Sequence, residues 1–117
     1  NAGIAACALV SPDPEHVKLA HRLNVSMARI HTGKLAKSTN RKKLDREMDD
    51  IVDCVKLSHR LGMKTFVGGG LDYEMIKLFK GLSEIDGFQI GRGIVSRALL
   101  VGMDVAVRDM LWAVQRI

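Results

Sequence analysis

The chain has 117 residues, 47% of them hydrophobic and 26% charged, with a net charge of +5. That composition suits one soluble globular domain with a modest core. No apolar run approaches the roughly 18 residues of a membrane-spanning helix, so no segment is expected to cross a membrane as a helix. The basic balance suits a phosphorylated small molecule or inorganic phosphate. With aromatic residues at 4%, no stacking platform supports nucleic-acid binding.

Residues 4–10 are uniformly apolar and too short for an ordinary helix. They lack the basic flank and cleavage pattern of a signal peptide, and read as a strand buried on both faces. The chain opens on Asn1 rather than Met, as a trimmed chain or a piece of something longer would. Asp13 then offers an N-cap and Pro14 a first helical residue. Val17, Leu19, Ala20 and Leu23 continue that helix, and Asn24 can end it in the left-handed conformation. Residues 27–31 form a second strand, and 32–40 a polar loop containing Gly33. Apolar positions Leu44, Met48, Ile51, Val52, Val55 and Leu61 recur at helical spacing and predict a long helix near 41–61, stopped by Gly62.

The third strand is expected near 64–67, followed at once by Gly68-Gly69-Gly70. Asp72 caps a helix carrying Met75, Ile76 and Phe79. A fourth strand near 88–90 leads into Gly91-Arg92-Gly93 and a short helix near 93–101. Gly102 breaks the chain, and Asp104 heads a last helix running toward Ile117. Strand and helix thus alternate four times, which demands parallel strands joined by right-handed crossovers. The fold class is α/β: four βα units, residues 1–117, forming half of a TIM (β/α)8 barrel. An open doubly wound sheet is the rival, but the short helix after strand four resembles the extra helix of barrel phosphate sites.

Cys7 and Cys54 form no metal or redox motif, and the four histidines lack ligand spacing. No metal and no cofactor is expected, and both cysteines read as buried and reduced, as in a cytoplasmic protein. Lys34, Lys37, Arg41, Lys42, Lys43 and Arg46 form a basic cluster that reads as a solvated loop and helix start.

The chemistry concentrates at strand ends. A glycine run lets backbone N–H groups converge unobstructed, and a following helix adds its positive end. Gly68, Gly69 and Gly70 fit that description after strand three; Gly91, Arg92 and Gly93 repeat it one unit later, with Arg92 able to fork onto the same phosphate. His31 ends strand two beside Thr32 and Gly33, where an imidazole can act as acid, base or donor. Arg29 shares its side of the strand, and a buried arginine there needs an anionic partner, ligand or side chain.

Together these residues resemble the C-terminal half of the pyridoxine 5′-phosphate synthase family. Ile30-His31-Thr32-Gly33 is similar to that family's Glu-Leu/Ile-His-Thr-Gly strand end. Gly68-Gly69-Gly70-Leu71-Asp72-Tyr73 is similar to its Ala-Gly-His-Gly-Leu-Asn/Thr-Tyr. The stretch from Ile90 through Gly91, Arg92, Gly93 and Arg97 to Met110 is similar to its Asn-Ile-Gly-His-Ala-Ile-Ile/Val-x-Arg-Ala and final helix. The resemblance implies strands five to eight of a barrel that makes vitamin B6 from 1-deoxy-D-xylulose 5-phosphate and an aminoacetone phosphate. It also implies that Gly70, Gly91 and the Arg92 N–H contact phosphate.

The departures are specific. Where the family keeps a catalytic histidine this chain has Gly69, and Arg29 replaces an active-site glutamate. Arg92 replaces a phosphate-site histidine, and Phe66 the asparagine that opens the glycine turn. Glycine cannot transfer a proton, and an always-charged arginine cannot stand in for glutamate. The expectation is a phosphate-binding half-barrel, catalytically impaired alone, completed as a homo-oligomer or by a complementary half. The alternatives are a working enzyme that uses His31 with a partner chain, and a structural or regulatory subunit without ligand.

Overall fold

A computed structural model describes residues 3–117, so the first two residues of the expected domain lie outside the described part. The elements in order are β1 (Cys7–Val10), α1 (Pro14–Arg22), β2 (Met27–His31), α2 (Gly33–Ala36), α3 (Arg41–Arg60), β3 (Lys64–Gly68), a 3-10 turn (Met75–Phe79), β4 (Gly87–Gln89), α4 (Arg92–Val101) and α5 (Met103–Gln115).

Local chemistry sets the boundaries. Asp13 accepts a hydrogen bond from the Glu15 N–H at 3.0 Å, with Pro14 opening α1, and Asn24 leaves that region at φ 61°. Asn40 accepts from the Lys43 N–H at 2.9 Å to start α3, and Gly62 turns the chain away from it at φ 80°. Along α3, Ile51, Cys54, Val55 and Ser58 are buried, one stripe at helical spacing. Full burial of Ile51 or Val55 is worth about 1.5–3 kcal/mol each.

The four strands form one parallel sheet in sequential order. Side chains alternate across it. Val10, Ala28, Ile30, Thr65 and Val67 point to the helical side and are buried, with Val17, Ile51, Val55, Ile76 and Phe79 packed over them. Cys7, Leu9, Met27, Arg29, His31, Lys64 and Phe66 alternate with these on the other side. There Leu9 is 61% exposed, and none of the described helices covers that side. The molecule is accordingly a slab, 44 × 40 × 21 Å along its principal axes. This is the α/β half-barrel expected, with an outer face under helices and a concave face left open.

Several sequence expectations need correction. Residues 4–6 are not strand, and β1 is buried on one face only. Cys7 is exposed while Cys54 is buried, because odd positions of β1 face the open side. The loop at 32–40 contains a short helix, α2, whose Leu35 is buried. Asp72 does cap the segment that follows it, accepting from the N–H groups of Glu74 and Met75 at 3.0 and 2.9 Å, but that segment is a 3-10 turn. Strand β4 begins at Gly87 and stops before Ile90.

Candidate functional site

The C-terminal ends of three strands come level where His31, Gly68 and Gln89 sit side by side in register. Just beyond them opens a cleft of about 710 Å³, lined by His31, Gly33, Lys37, Gly69, Gly70, Asp72, Arg92, Gly93 and Ser96 among others.

Its shape is a consequence of glycines. Gly69 and Gly70 have φ of 123° and 67°, a region that L side chains rarely enter. A Cβ on Gly93 would lie 2.7 Å from the Leu71 carbonyl oxygen and 3.1 Å from the Asp72 Cα. Only glycine therefore lets α4 begin so close to the turn after β3, and this approach joins the two glycine turns into one cleft. Gly91 precedes α4 without making a side-chain cap, and its carbonyl accepts from the Val95 N–H at 3.0 Å. The N–H groups of the first turn of α4 are thus not taken up by a capping side chain. On the far side, Arg97 pairs with Asp109 at 2.8 Å and lies over the Tyr73 ring. The Tyr73 hydroxyl donates to the Ala106 carbonyl at 2.6 Å. These contacts tie α4, α5 and the turn after β3 into one wall.

Thr32 is buried beneath the opposite wall. Its N–H donates to the Gly68 carbonyl at 2.9 Å and its hydroxyl to the Gly69 carbonyl at 2.7 Å, so the end of β2 holds the glycine turn in place. His31 occupies the space above both Gly33 and Gly69. A Cβ on Gly69 would lie 2.8 Å from the imidazole, and one on Gly33 would collide with its Nε2. The ring of His31 therefore sits where a side chain at position 69 would start.

Of the residues singled out in the sequence, His31, Gly33, Gly69, Gly70, Arg92 and Gly93 line one cleft. Gly68 and Gly91 stand behind it, as parts of β3 and of the lead into α4. Arg29 lies on the concave face, half-buried, and donates to the Gln89 side-chain oxygen. The anionic side-chain partner considered for it is thus replaced, among the described residues, by a neutral amide. Lys37, which reads in the sequence as part of a solvated basic cluster, lines the cleft with Ser96, and neither Ser96 nor Gln89 carries a sequence signal for the site. Lys37 caps the C-terminus of α2, an element hidden by the polarity of its segment, and Gln89 shares a face with Gly87 on a three-residue strand too short to show periodicity.

Electrostatic perturbation lies elsewhere: burial, helped by Asp13, Asp50 and Asp53, pushes the Cys54 thiol up to about 11. Among the described residues no cluster of His, Cys, Asp or Glu could hold a metal ion, and no helix is long and apolar enough to cross a membrane.

Comparison with known proteins agrees with this architecture. The family model described as pyridoxal phosphate biosynthesis protein PdxJ matches residues 1–116. The pyridoxine 5′-phosphate synthase of Desulforapulum autotrophicum is 47% identical over 111 residues, covering 95% of this chain and 46% of that protein. That of Syntrophobacter fumaroxidans is 38% identical over 109 residues, 93% of this chain and 46% of its own length. The synthase of Desulfosudis oleivorans is 43% identical over 102 residues, 87% and 43%. The chain spans about half the length of the curated relatives it matches. With nearly its whole length matched and its four parallel βα units in place, the chain belongs to the pyridoxal phosphate biosynthesis protein PdxJ family.

Proposed function

We propose that this chain is a pyridoxine 5′-phosphate synthase-like half-barrel that holds a phosphate group between its two glycine turns and is catalytically impaired when it acts alone. The observation that carries the reading is the approach of Gly93 to the Leu71–Asp72 backbone. It brings the first turn of α4 against the left-handed glycines at 69 and 70, with Arg92 and Lys37 on the same cleft. Main-chain N–H groups, a helix N-terminus and two cations are the components of an anion cradle. Impairment follows from chemistry at two positions: Gly69 has no proton to transfer, and Arg29 offers no base.

The open concave face and the free edges of β1 and β4 favour assembly with a second half-barrel, either another copy or a complementary chain. Inorganic phosphate should raise the melting temperature of the purified chain. The chain supplied with 1-deoxy-D-xylulose 5-phosphate and an aminoacetone phosphate should release no pyridoxine 5′-phosphate. Turnover at ordinary enzymatic rates would refute the impairment, and an unmoved melting temperature would refute the cradle.

A second reading draws on the position of His31 in the cleft. With a partner half supplying the missing groups, His31 would serve as the acid–base residue. Activity that appears only in the assembly and is lost in His31→Ala would favour it.

A further inference from the structure

Arg29 has an environment that the phosphate cradle does not explain. It is half-buried on the concave face of β2, and among the described residues it joins no ion pair. Its one side-chain partner is the Gln89 amide oxygen, two strands away. A guanidinium carries five N–H donors, and a neutral amide leaves its charge uncompensated. The contact with Gln89 is exposed, so the guanidinium is oriented yet open to an anion from solution.

The fold brings that charge to the row of strand ends beyond which the cleft opens, outside the cleft lining itself. In register, Arg29 lies beside Phe66 and Gly87, one row below His31, Gly68 and Gln89. To reach Gln89 its side chain rises to the upper row and crosses β3 at Gly68. Gly68 has no side chain there, and a Cβ would lie 2.7 Å from the Gln89 carbonyl oxygen. The hydrogen bond to Gln89 thus holds the guanidinium on the concave side, level with the strand ends that carry His31 and Gly68. Gln89 fixes one edge of the fork and leaves other donors free.

We propose that Arg29, oriented by Gln89, is a second anion-recognition point, which binds a carboxylate on a ligand whose phosphate sits between the glycine turns. The ligand class is then a short phosphorylated acid, with its two charged ends held by two different parts of the rim. This rests on the phosphate reading above. A carboxylate fits better than a second phosphate because one guanidinium balances one carboxylate in a planar, two-bond contact. A phosphate dianion would need a further cation; Leu9, Phe66 and Gly87, level with Arg29, supply none, and Lys64 lies one row farther from the strand ends.

The test compares 3-phosphoglycerate with glycerol 3-phosphate, which differ by a carboxylate against a hydroxymethyl group, alongside inorganic phosphate. Binding to the full chain is measured by calorimetry. The acid should bind at least about tenfold tighter than the alcohol. Arg29→Gln should bring the two to equal affinity while still binding inorganic phosphate. Gln89→Leu, which keeps the charge and loses the orientation, should narrow the ratio. Lys34→Gln removes the same charge from outside the cleft lining and should leave the ratio intact. If the two ligands bind equally to the unaltered chain, or the preference survives in Arg29→Gln, this inference falls and the cradle stands. If inorganic phosphate and both esters all fail to bind, the cradle falls and takes the inference with it. Should Arg29→Gln fail to fold, the Gln89→Leu ratio decides: an unchanged ratio overturns the proposal.

Discussion

The two faces of the sheet differ in what they demand of the sequence. On the outer face, Val10, Ala28, Ile30 and Val67 pack against helices and are almost fully buried. On the concave face, Leu9 is 61% exposed, His31 is exposed, and Arg29 and Phe66 are only partly covered. Both faces are built from the same strands, residue by alternate residue. The outer face is held by volume and hydrophobicity, so its stability is local to this chain. Arg29 and Phe66, where the sequence departs from the pattern its resemblance to the synthase family implies, fall on the concave face.

The difference can be probed by substitution. Phe79 is fully buried and packs edge-on to Phe88, with ring centroids 5.7 Å apart. Phe79→Ala should cost about 3–5 kcal/mol in urea unfolding. An intermediate case lies at the rim. Gly93→Val should cost about 1–3 kcal/mol, because its Cβ must push backbone rather than a pliable side chain. It should also abolish the phosphate-dependent rise in melting temperature. A Gly93→Val chain as stable as the parent would show that the close approach to Leu71 is dispensable. Thr32→Val removes the hydroxyl that holds the Gly69 carbonyl, and about 1 kcal/mol should go with it. Leu9→Ser on the concave face should change stability of the separate chain by less than about 0.5 kcal/mol. A larger loss would mean that something already covers that face in solution.

The cysteines extend the comparison into pH. Cys54 lies on the buried face of α3, and its thiol is raised from 9.0 to about 11. Above pH 9 the unfolded chain gives up a proton that the folded chain keeps. Stability from this group is therefore complete below pH 9 and declines as pH rises toward about 11. Denaturation at a series of alkaline pH values should show a shallower decline for Cys54→Ala than for the parent. Cys7, exposed on β1, should react with a maleimide at neutral pH well before Cys54 does.

Much of this architecture was legible because its signals are local. Asp13, Asn24 and Gly62 mark helix ends by side-chain or backbone chemistry that needs no tertiary context. The alternation of apolar strand and amphipathic helix is enough to demand a parallel sheet. The identity of the buried face was less accessible. Residues 4–10 carry almost no polar marker, so nothing in them shows which side lacks a cover. The two glycine turns read in the sequence as parts of one phosphate site, but the contact of Gly93 with Leu71 and Asp72 that brings them together is a through-space fact. Nor could spacing reveal that His31 fills the place above Gly69, or that Arg29 crosses β3 to reach Gln89.

The Gly93 contact also bears on how such a protein changes over generations. A codon substitution replaces a side chain but leaves the amide in place, proline excepted. A cradle built of main-chain donors is thus largely outside the reach of ordinary point mutation, provided the few glycines that shape it persist. Acid–base groups have no such shelter, since one base change can erase them. In a lineage drifting away from synthesis, catalysis would lapse first and ligand retention would outlast it. A census of side-chain identities would then understate how much of the ancestral recognition such a chain still carries.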